Sequence, residues 1–404
     1  MNKQALEGVK VLDFTWALAG PIMTKYLADY GATVVRIESR EHLCFLRTSG
    51  PYKDRIAGPD RTGYFAFFSP NKYSMLLKLD NPKGLAVARR LVSWADVVAE
   101  NFVPGTLAKL GLDYEQIKKI KPDIIMISSS GQGQSGPAAR IPIGGNWLVA
   151  LSGFSWFTGW PDRESVQPFG AYNDFIAPRF GVVAILAALK YKQRTGKGQH
   201  IDLSQLEAGV EFLMPSFLDY TVNERQDGKM GNSSSYTAPH GVYPCCDNRW
   251  CAISVSNDKE WQAFCHVVGN PLLTKEPKFA TMLGRKQNEE ELNRLISGWS
   301  VKFTPEDIMT SMQRAGVSAG VVESARDLCE DPQLRYRNHF WTLDHKVIGK
   351  YDHLGEAALL SQTPAQPRMP SPCIGEHTEY ICKQFLHMPD EEFIELLNGD
   401  VFGI

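Results

Sequence analysis

The chain has 404 residues, 43% of them hydrophobic, and its 43 basic and 45 acidic residues give a formal net charge of −2. That length allows two or three domains with buried cores, and the near balance of charge excludes a global attraction to nucleic acid or to anionic membranes. The opening Leu6-Glu7-Gly8-Val9 shows no charged-then-apolar leader and no apolar run is long enough to span a bilayer, so a cytoplasmic protein is expected. Eight cysteines are dispersed from Cys44 to Cys382, which fits a reducing compartment. Cys245, Cys246 and Cys251 cluster without a CxxC pair, and the nine histidines form no HExxH, so a buried strand-end cluster and no metal site are expected.

In chain order, the apolar run Val9-Lys10-Val11-Leu12-Asp13-Phe14 predicts a strand. Gly20-Pro21 then opens a helix over Ile22 to Tyr30, because a proline in the first turn gives up an N–H that has no helical partner there. Gly31 ends the helix, and Thr33-Val34-Val35-Arg36-Ile37 completes a βαβ unit. A helix from Gly84 to Trp94 leads into Asp96-Val97-Val98, and an amphipathic stretch from Thr106 to Ile120 leads into Ile124-Ile125-Met126-Ile127. Such alternation implies the α/β class, a parallel sheet covered by helices.

An irregular stretch from Gly131 to Asn173 precedes an apolar helix from Ala177 to Tyr191, the turn Thr195-Gly196-Lys197-Gly198 and a strand from Gln199 to Leu203. From Gly228 the composition turns to Ser, Asn and Gly, with a strand over Trp250 to Val255 and helices near Glu260 and Glu289. The expected boundaries are 1–225 for the first part of a large domain, 226–325 for a smaller α+β domain, and 326–404 for a C-terminal arm that returns to the large domain. The arm reads as extended from Pro364 to Pro372, with no evident core to join within one chain.

Gly131-Gln132-Gly133-Gln134-Ser135-Gly136 fits GxGxxG after a strand, but Pro137, Arg140 and Pro142 stand where a dinucleotide fold needs a helix, and no acidic residue follows to hold a ribose. A glycine-rich turn at the carboxyl end of a strand, of the kind that lines a ligand crevice, is the better reading. No phosphate-loop motif, GxSxG elbow or Ser/His/Asp set occurs, which leaves carboxylates and thiols as nucleophiles. Asp174 sits in the polar turn Gly170-Ala171-Tyr172-Asn173-Asp174 before the apolar helix, and by local sequence alone it reads as a helix cap or Asx turn.

A series of blocks changes that reading. Gly8 to Phe14 with Ala19-Gly20-Pro21, then Gly31-Ala32-Thr33-Val34-Val35-Arg36-Ile37-Glu38, resemble the opening of the family III CoA-transferases. Asn71-Lys72, Ala99-Glu100-Asn101-Phe102 with Pro104-Gly105, Gly133 with Gly136-Pro137, Leu151-Ser152-Gly153 and Arg194-Thr195-Gly196-Lys197-Gly198-Gln199 follow in the same order, and Ala238 to Pro244 continues it more weakly. The resemblance implies a Rossmann-like large domain and a small domain, in two chains threaded through each other as interlocked rings. It implies that Asp174 is the nucleophile, that coenzyme A or acyl-CoA is a substrate rather than a bound cofactor, and that CoA meets Ala19, Leu77, Lys78, Asn101, Phe102, Lys109, Gly131 and Gln132. Ser39 stands where relatives carry a phosphate-contacting arginine, for which Arg40 or Arg47 would compensate.

Trp16 and Leu18 replace a histidine and a glutamine of formyl-CoA transferases, so the pocket is expected to be apolar and unsuited to oxalate, while Ser235 to Ala238 replaces the glycine-run loop near their active site. With the segment Phe154 to Trp160, this resembles the subunits of succinyl-CoA:benzylsuccinate CoA-transferase. It implies succinyl-CoA as donor, a bulky or aromatic acceptor such as benzylsuccinate, and pairing as a homodimer or with a homologous subunit. Two alternatives are an α-methylacyl-CoA racemase, whose histidine base is replaced here by Gly144, and a non-catalytic partner subunit, against which Asp174 argues.

Overall fold

In the central strands apolar residues occupy both of the alternating sets that point to opposite faces, so the sheet they build needs cover on both sides. In the computed structural model, which describes residues 4–403, those strands are β1 (Lys10–Asp13), β2 (Thr33–Glu38), β3 (Lys72–Leu76), β4 (Val97–Glu100), β5 (Ile125–Ser130) and β6 (His200–Ser204). They form one parallel sheet in the order β3-β2-β1-β4-β5-β6. Leu12, Val35, Val98 and Met126 pack on one face with Val87 and Leu91 of α2 (Pro82–Trp94). Val11, Val34, Val97 and Ile125 pack on the other with Met23 and Leu27 of α1 (Ala19–Asp29). The helices α3 (Gly145–Leu151), α4 (Asn173–Thr195) and α5 (Gln205–Val210) follow, and Ile185 and Ala188 of α4 join that second core.

Two compact units result. The larger comprises Met1–Phe154, Gln167–Arg225 and Leu334–Ile404, and the smaller comprises Ser155–Val166 and Gln226–Gln333. The smaller unit has an antiparallel sheet of β7 (His240–Pro244), β8 (Trp250–Ser254) and β9 (Ser318–Val321) around a core that includes Trp261, Phe264, Ile296 and Met312. Cys245 and Cys251 are buried in that core. In the larger unit the hairpin β10 (Phe340–His345) and β11 (Gly349–Leu354) precedes the extended segment and the last helices.

Three expectations need correction. The C-terminal arm does have a core to join: Ile381, Met388, Phe393, Leu396, Val401 and Phe402 lie in the same apolar cluster as Leu12 and Val35. The stretch from Thr106 to Ile120 is two helices, Thr106–Lys109 and Tyr114–Ile120, because Gly111 between them takes a left-handed φ of 64°. Finally, α4 begins at Asn173 rather than Ala177. Pro178 marks a helix boundary in sequence, but in the second turn it costs only the N–H that would have bonded to the Asp174 carbonyl.

Candidate active site

In a parallel sheet every carboxyl end lies at one edge, and in the order β3-β2-β1-β4-β5-β6 the direction in which strands are added reverses between β1 and β4, which opens a crevice there. The segments following β1, β4, β5 and β6 enclose a cavity of about 180 Å³ in the larger unit. Trp16 and Leu18 come from the first, Asn101 and Phe102 from the second, Gly131 from the third and Gln205 from the fourth, while Gly145 and Asp174 come from α3 and α4.

Asp174 lies in the first turn of α4, where the preceding Tyr172 is the cap residue and no side chain caps the helix. Its carboxylate therefore does not perform the local capping job that the sequence suggested. No hydrogen-bond or ion-pair partner of that carboxylate exists among the described residues. Burial without compensation pushes its pKa up to about 7. The carboxylate rests against the start of α3: a Cβ built on Gly145 would stand 2.3 Å from Asp174 Oδ2 and 2.4 Å from the Ala171 Cβ, so only glycine admits this approach.

The backbone under Asp174 is fixed by its neighbour. Asn173 is fully buried, its Nδ2 donates to the Gln205 carbonyl at 3.1 Å, and its Oδ1 lies 3.2 Å from Ser152 Oγ at the end of α3. One amide thus ties α3, α4 and α5 together beside the carboxylate. Opposite, Asn101 clamps the turn after β1, its Oδ1 accepting from Trp16 N–H and its Nδ2 donating to the Trp16 carbonyl, both at 2.7 Å. The Trp16 and Phe102 rings meet edge to face at 5.7 Å, which stiffens an apolar wall.

The other residues singled out by resemblance fall in several places. Ala19 starts α1 and lines the Asp174 cavity with Trp16, Leu18, Asn101, Phe102 and Gly131. Leu77, Lys78 and Arg40 line a separate cavity of about 270 Å³ formed by the segments after β2 and β3 and by the chain end at Asp400 and Phe402. Lys78 Nζ is already held by Asp400 at 2.6 Å and Glu41 at 2.7 Å, bonds that raise its pKa, whereas Arg40 is exposed and has no ion pair among the described residues. Ser39 Oγ accepts from the N–H groups of Glu41 and His42. Lys109 is exposed at the end of its short helix, and Gln132 bonds to the Ala138 carbonyl; neither lines the Asp174 cavity.

One expectation fails on geometry. Arg47 is not free for a phosphate: it is buried, it forms a two-point pair with Glu38 at 2.7 Å, and it also donates to Asp60 and to the Pro59 and Pro372 carbonyls. All five of its N–H groups are used. In the aromatic segment, Trp156 Nε1 bonds to the Asp227 carbonyl and the Trp160 ring packs on Gly231, both within the smaller unit. Sequence reading passed over the positioning role of Asn173 and over Ser130 and Gln205. The signal available for the last two was their position at the carboxyl ends of adjacent strands.

Residues 6–378 match the model of the family described as CoA-transferase family III. A Chloroflexus aurantiacus protein named succinyl-CoA–D-citramalate CoA-transferase is 32% identical over 392 residues, covering 97% of this chain and 96% of that one. An Agrobacterium fabrum protein named succinate–glutarate CoA-transferase is 32% identical over 379 residues, covering 93% and 94%. Among solved structures, a CaiB/BaiF family protein from Brucella suis superposes with a TM-score of 0.88 at 30% identity, over 95% of this chain and 100% of that one. The described helices include none long and apolar enough to cross a membrane.

Proposed function

The chain belongs to CoA-transferase family III and is a CoA-transferase, and from that premise we propose that it moves CoA from succinyl-CoA to an acid with a bulky apolar group, through an aspartyl-CoA thioester at Asp174. The observation that carries this reading is the Asp174 carboxylate itself, desolvated, unpaired and the only titratable side chain among the described residues lining its cavity. A carboxylate is a weak nucleophile in water, and removing its hydration while fixing it beside a thioester carbonyl is what makes it reactive. Asp174 attacks the donor, giving an acyl-aspartyl anhydride and CoA thiolate. The thiolate then attacks the aspartyl carbonyl, releasing succinate and leaving aspartyl-CoA, and the acceptor acid completes the exchange through a second anhydride. CoA enters and leaves as a substrate, and no resident cofactor is required.

Succinyl-CoA as donor is supported by the Chloroflexus relative's name, which contains it. The acceptor class is supported by the apolar side chains of Trp16, Leu18, Phe102, Ile141 and Ile143 on the cavity wall, against which an aryl or alkyl substituent would pack. Acids of the benzylsuccinate type fit that wall better than the D-citramalate and glutarate named for the two relatives. Racemisation is disfavoured because Gly144 and Gly145, which cannot carry a proton, stand beside Asp174. Among the described residues lining the second cavity, Arg40 is the cation without an ion pair and so is available for a CoA phosphate.

Association with a second copy or a homologous subunit, as interlocked rings, belongs to the same proposal. It is supported by the helix Met214–Asn223, which buries none of its residues and exposes Met214, Phe217, Leu218, Tyr220 and Val222. The chain also leaves the larger unit and returns to it, as a ring would. A panel of acids assayed with succinyl-CoA tests the central statement: exchange is expected to favour aryl- and alkyl-substituted acids, and a preference for oxalate, glutarate or citramalate would overturn the acceptor assignment.

A further inference from the structure

Two buried polar side chains in the Asp174 cavity have no partners. Ser130, the last residue of β5, is 3% exposed and its Oγ makes no hydrogen bond; Gln205, the first residue of α5, is 6% exposed and its Oε1 makes none. Gln205 Nε2 likewise has no partner among the described residues. Both residues line the cavity, and they are neighbours by register, since Ser130 pairs with Ser204.

Their backbones, by contrast, are held firmly. The Gln205 carbonyl accepts from Asn173, the residue before Asp174, and Leu206 N–H donates to the Gly131 carbonyl at 2.9 Å. A buried polar atom left unpaired costs free energy comparable to a lost hydrogen bond, so fixed main chains carrying unused polar heads suit a ligand oxygen. The side chains of Trp16, Leu18, Phe102 and Ile143 on the surrounding wall are aromatic or aliphatic.

We infer that Gln205 and Ser130 are catalytic hydrogen-bond donors that hold the acyl oxygen of the thioester while Asp174 attacks its carbon. This rests on the reading of Asp174 as the nucleophile. As the bond from the Asp174 oxygen to the acyl carbon forms, the carbonyl π pair moves onto the acyl oxygen. That oxyanion is met by the amide N–H of Gln205 and the hydroxyl of Ser130. It collapses to re-form the carbonyl, the C–S bond breaks, and the thiolate leaves with the bonding pair, with no proton transferred. A half-turn about χ3 exchanges the two ends of the Gln205 amide, so it can present its donor to the oxyanion.

The test mixes succinyl-CoA, without acceptor, with the wild type and with Gln205→Met, Ser130→Ala and the double variant, following formation of the Asp174 adduct by rapid quench. Each single change is expected to slow adduct formation by about 10- to 100-fold and the pair by about 10²- to 10³-fold, with KM changed by less than about threefold. Gln205→Glu, nearly isosteric, puts a second carboxylate in the cavity and is expected to move the acid limb of the rate profile up by about one pH unit, a shift that a purely structural role would not give. If circular dichroism finds a truncated variant unfolded, Gln205→Glu decides. An adduct formed at the wild-type rate by the folded double variant, or an unmoved acid limb in Gln205→Glu, would overturn the inference. Failure of the wild type to form any adduct would instead overturn the Asp174 reading beneath it.

Discussion

Asp174 carries a carboxyl that burial holds up to about 7, and such a shift bears on stability as well as on reactivity. Between the ordinary value of 3.8 and about 7 the folded state keeps a proton that the unfolded chain has released. Stability is therefore lost as pH rises through that window and stays reduced above it. Asp174→Asn removes the charge, so the variant should be more stable than the wild type by on the order of 2–4 kcal/mol at about pH 8 and by little at about pH 4. Urea unfolding at both pH values checks this, and an equal difference at the two would contradict it. The same ionisation should make kcat/KM fall below about pH 7. At this scale the sequence was informative for Asp174 only through the surrounding blocks. Nothing local distinguishes Arg47 from Arg40: what separates them is that Glu38 and Asp60 close around the first and leave the second exposed.

The close approach of α3 to α4 makes Gly145 a part of the site rather than of the scaffold. Gly145→Ala should lower kcat by about 10²-fold, because a methyl group 2.3 Å from Oδ2 has to displace the carboxylate from its reacting position. Steady-state kinetics with a thermal melt test it: the melting temperature should fall as well, because the methyl group would also stand 2.4 Å from the Ala171 Cβ, and full activity would contradict the arrangement. The sheet strands were legible because fully buried parallel strands are runs of apolar and β-branched residues. α3 was not legible, being seven residues long within a stretch rich in Gly, Trp and Pro. The start of α4 was masked by Pro178, and the break at Gly111 by the amphipathic period on either side of it.

For the whole molecule, the α/β class could be read from the alternation of elements and the arm was expected to return to the large domain, whereas the core that it joins there could not be read. Its apolar residues sit in short helices and in the irregular chain around them, and strands β1 and β2 that they cover lie more than 300 residues earlier, a separation that no local pattern reports. With the tail accounted for within one chain, the case for association rests on the exposed helix Met214–Asn223 and on the chain's departure from and return to the larger unit. Sedimentation should find a dimer or a larger species, and a stable, active monomer would remove the interlocked arrangement. The central claim, that Asp174 holds CoA covalently, is tested most directly by intact-protein mass spectrometry after incubation with succinyl-CoA and no acceptor, followed by peptide mapping. The wild type should gain one CoA less one water on the peptide containing Asp174, and Asp174→Ala should gain nothing while still binding CoA. A wild type that turns over without the adduct, an adduct on another residue, or undiminished exchange by Asp174→Ala would contradict it.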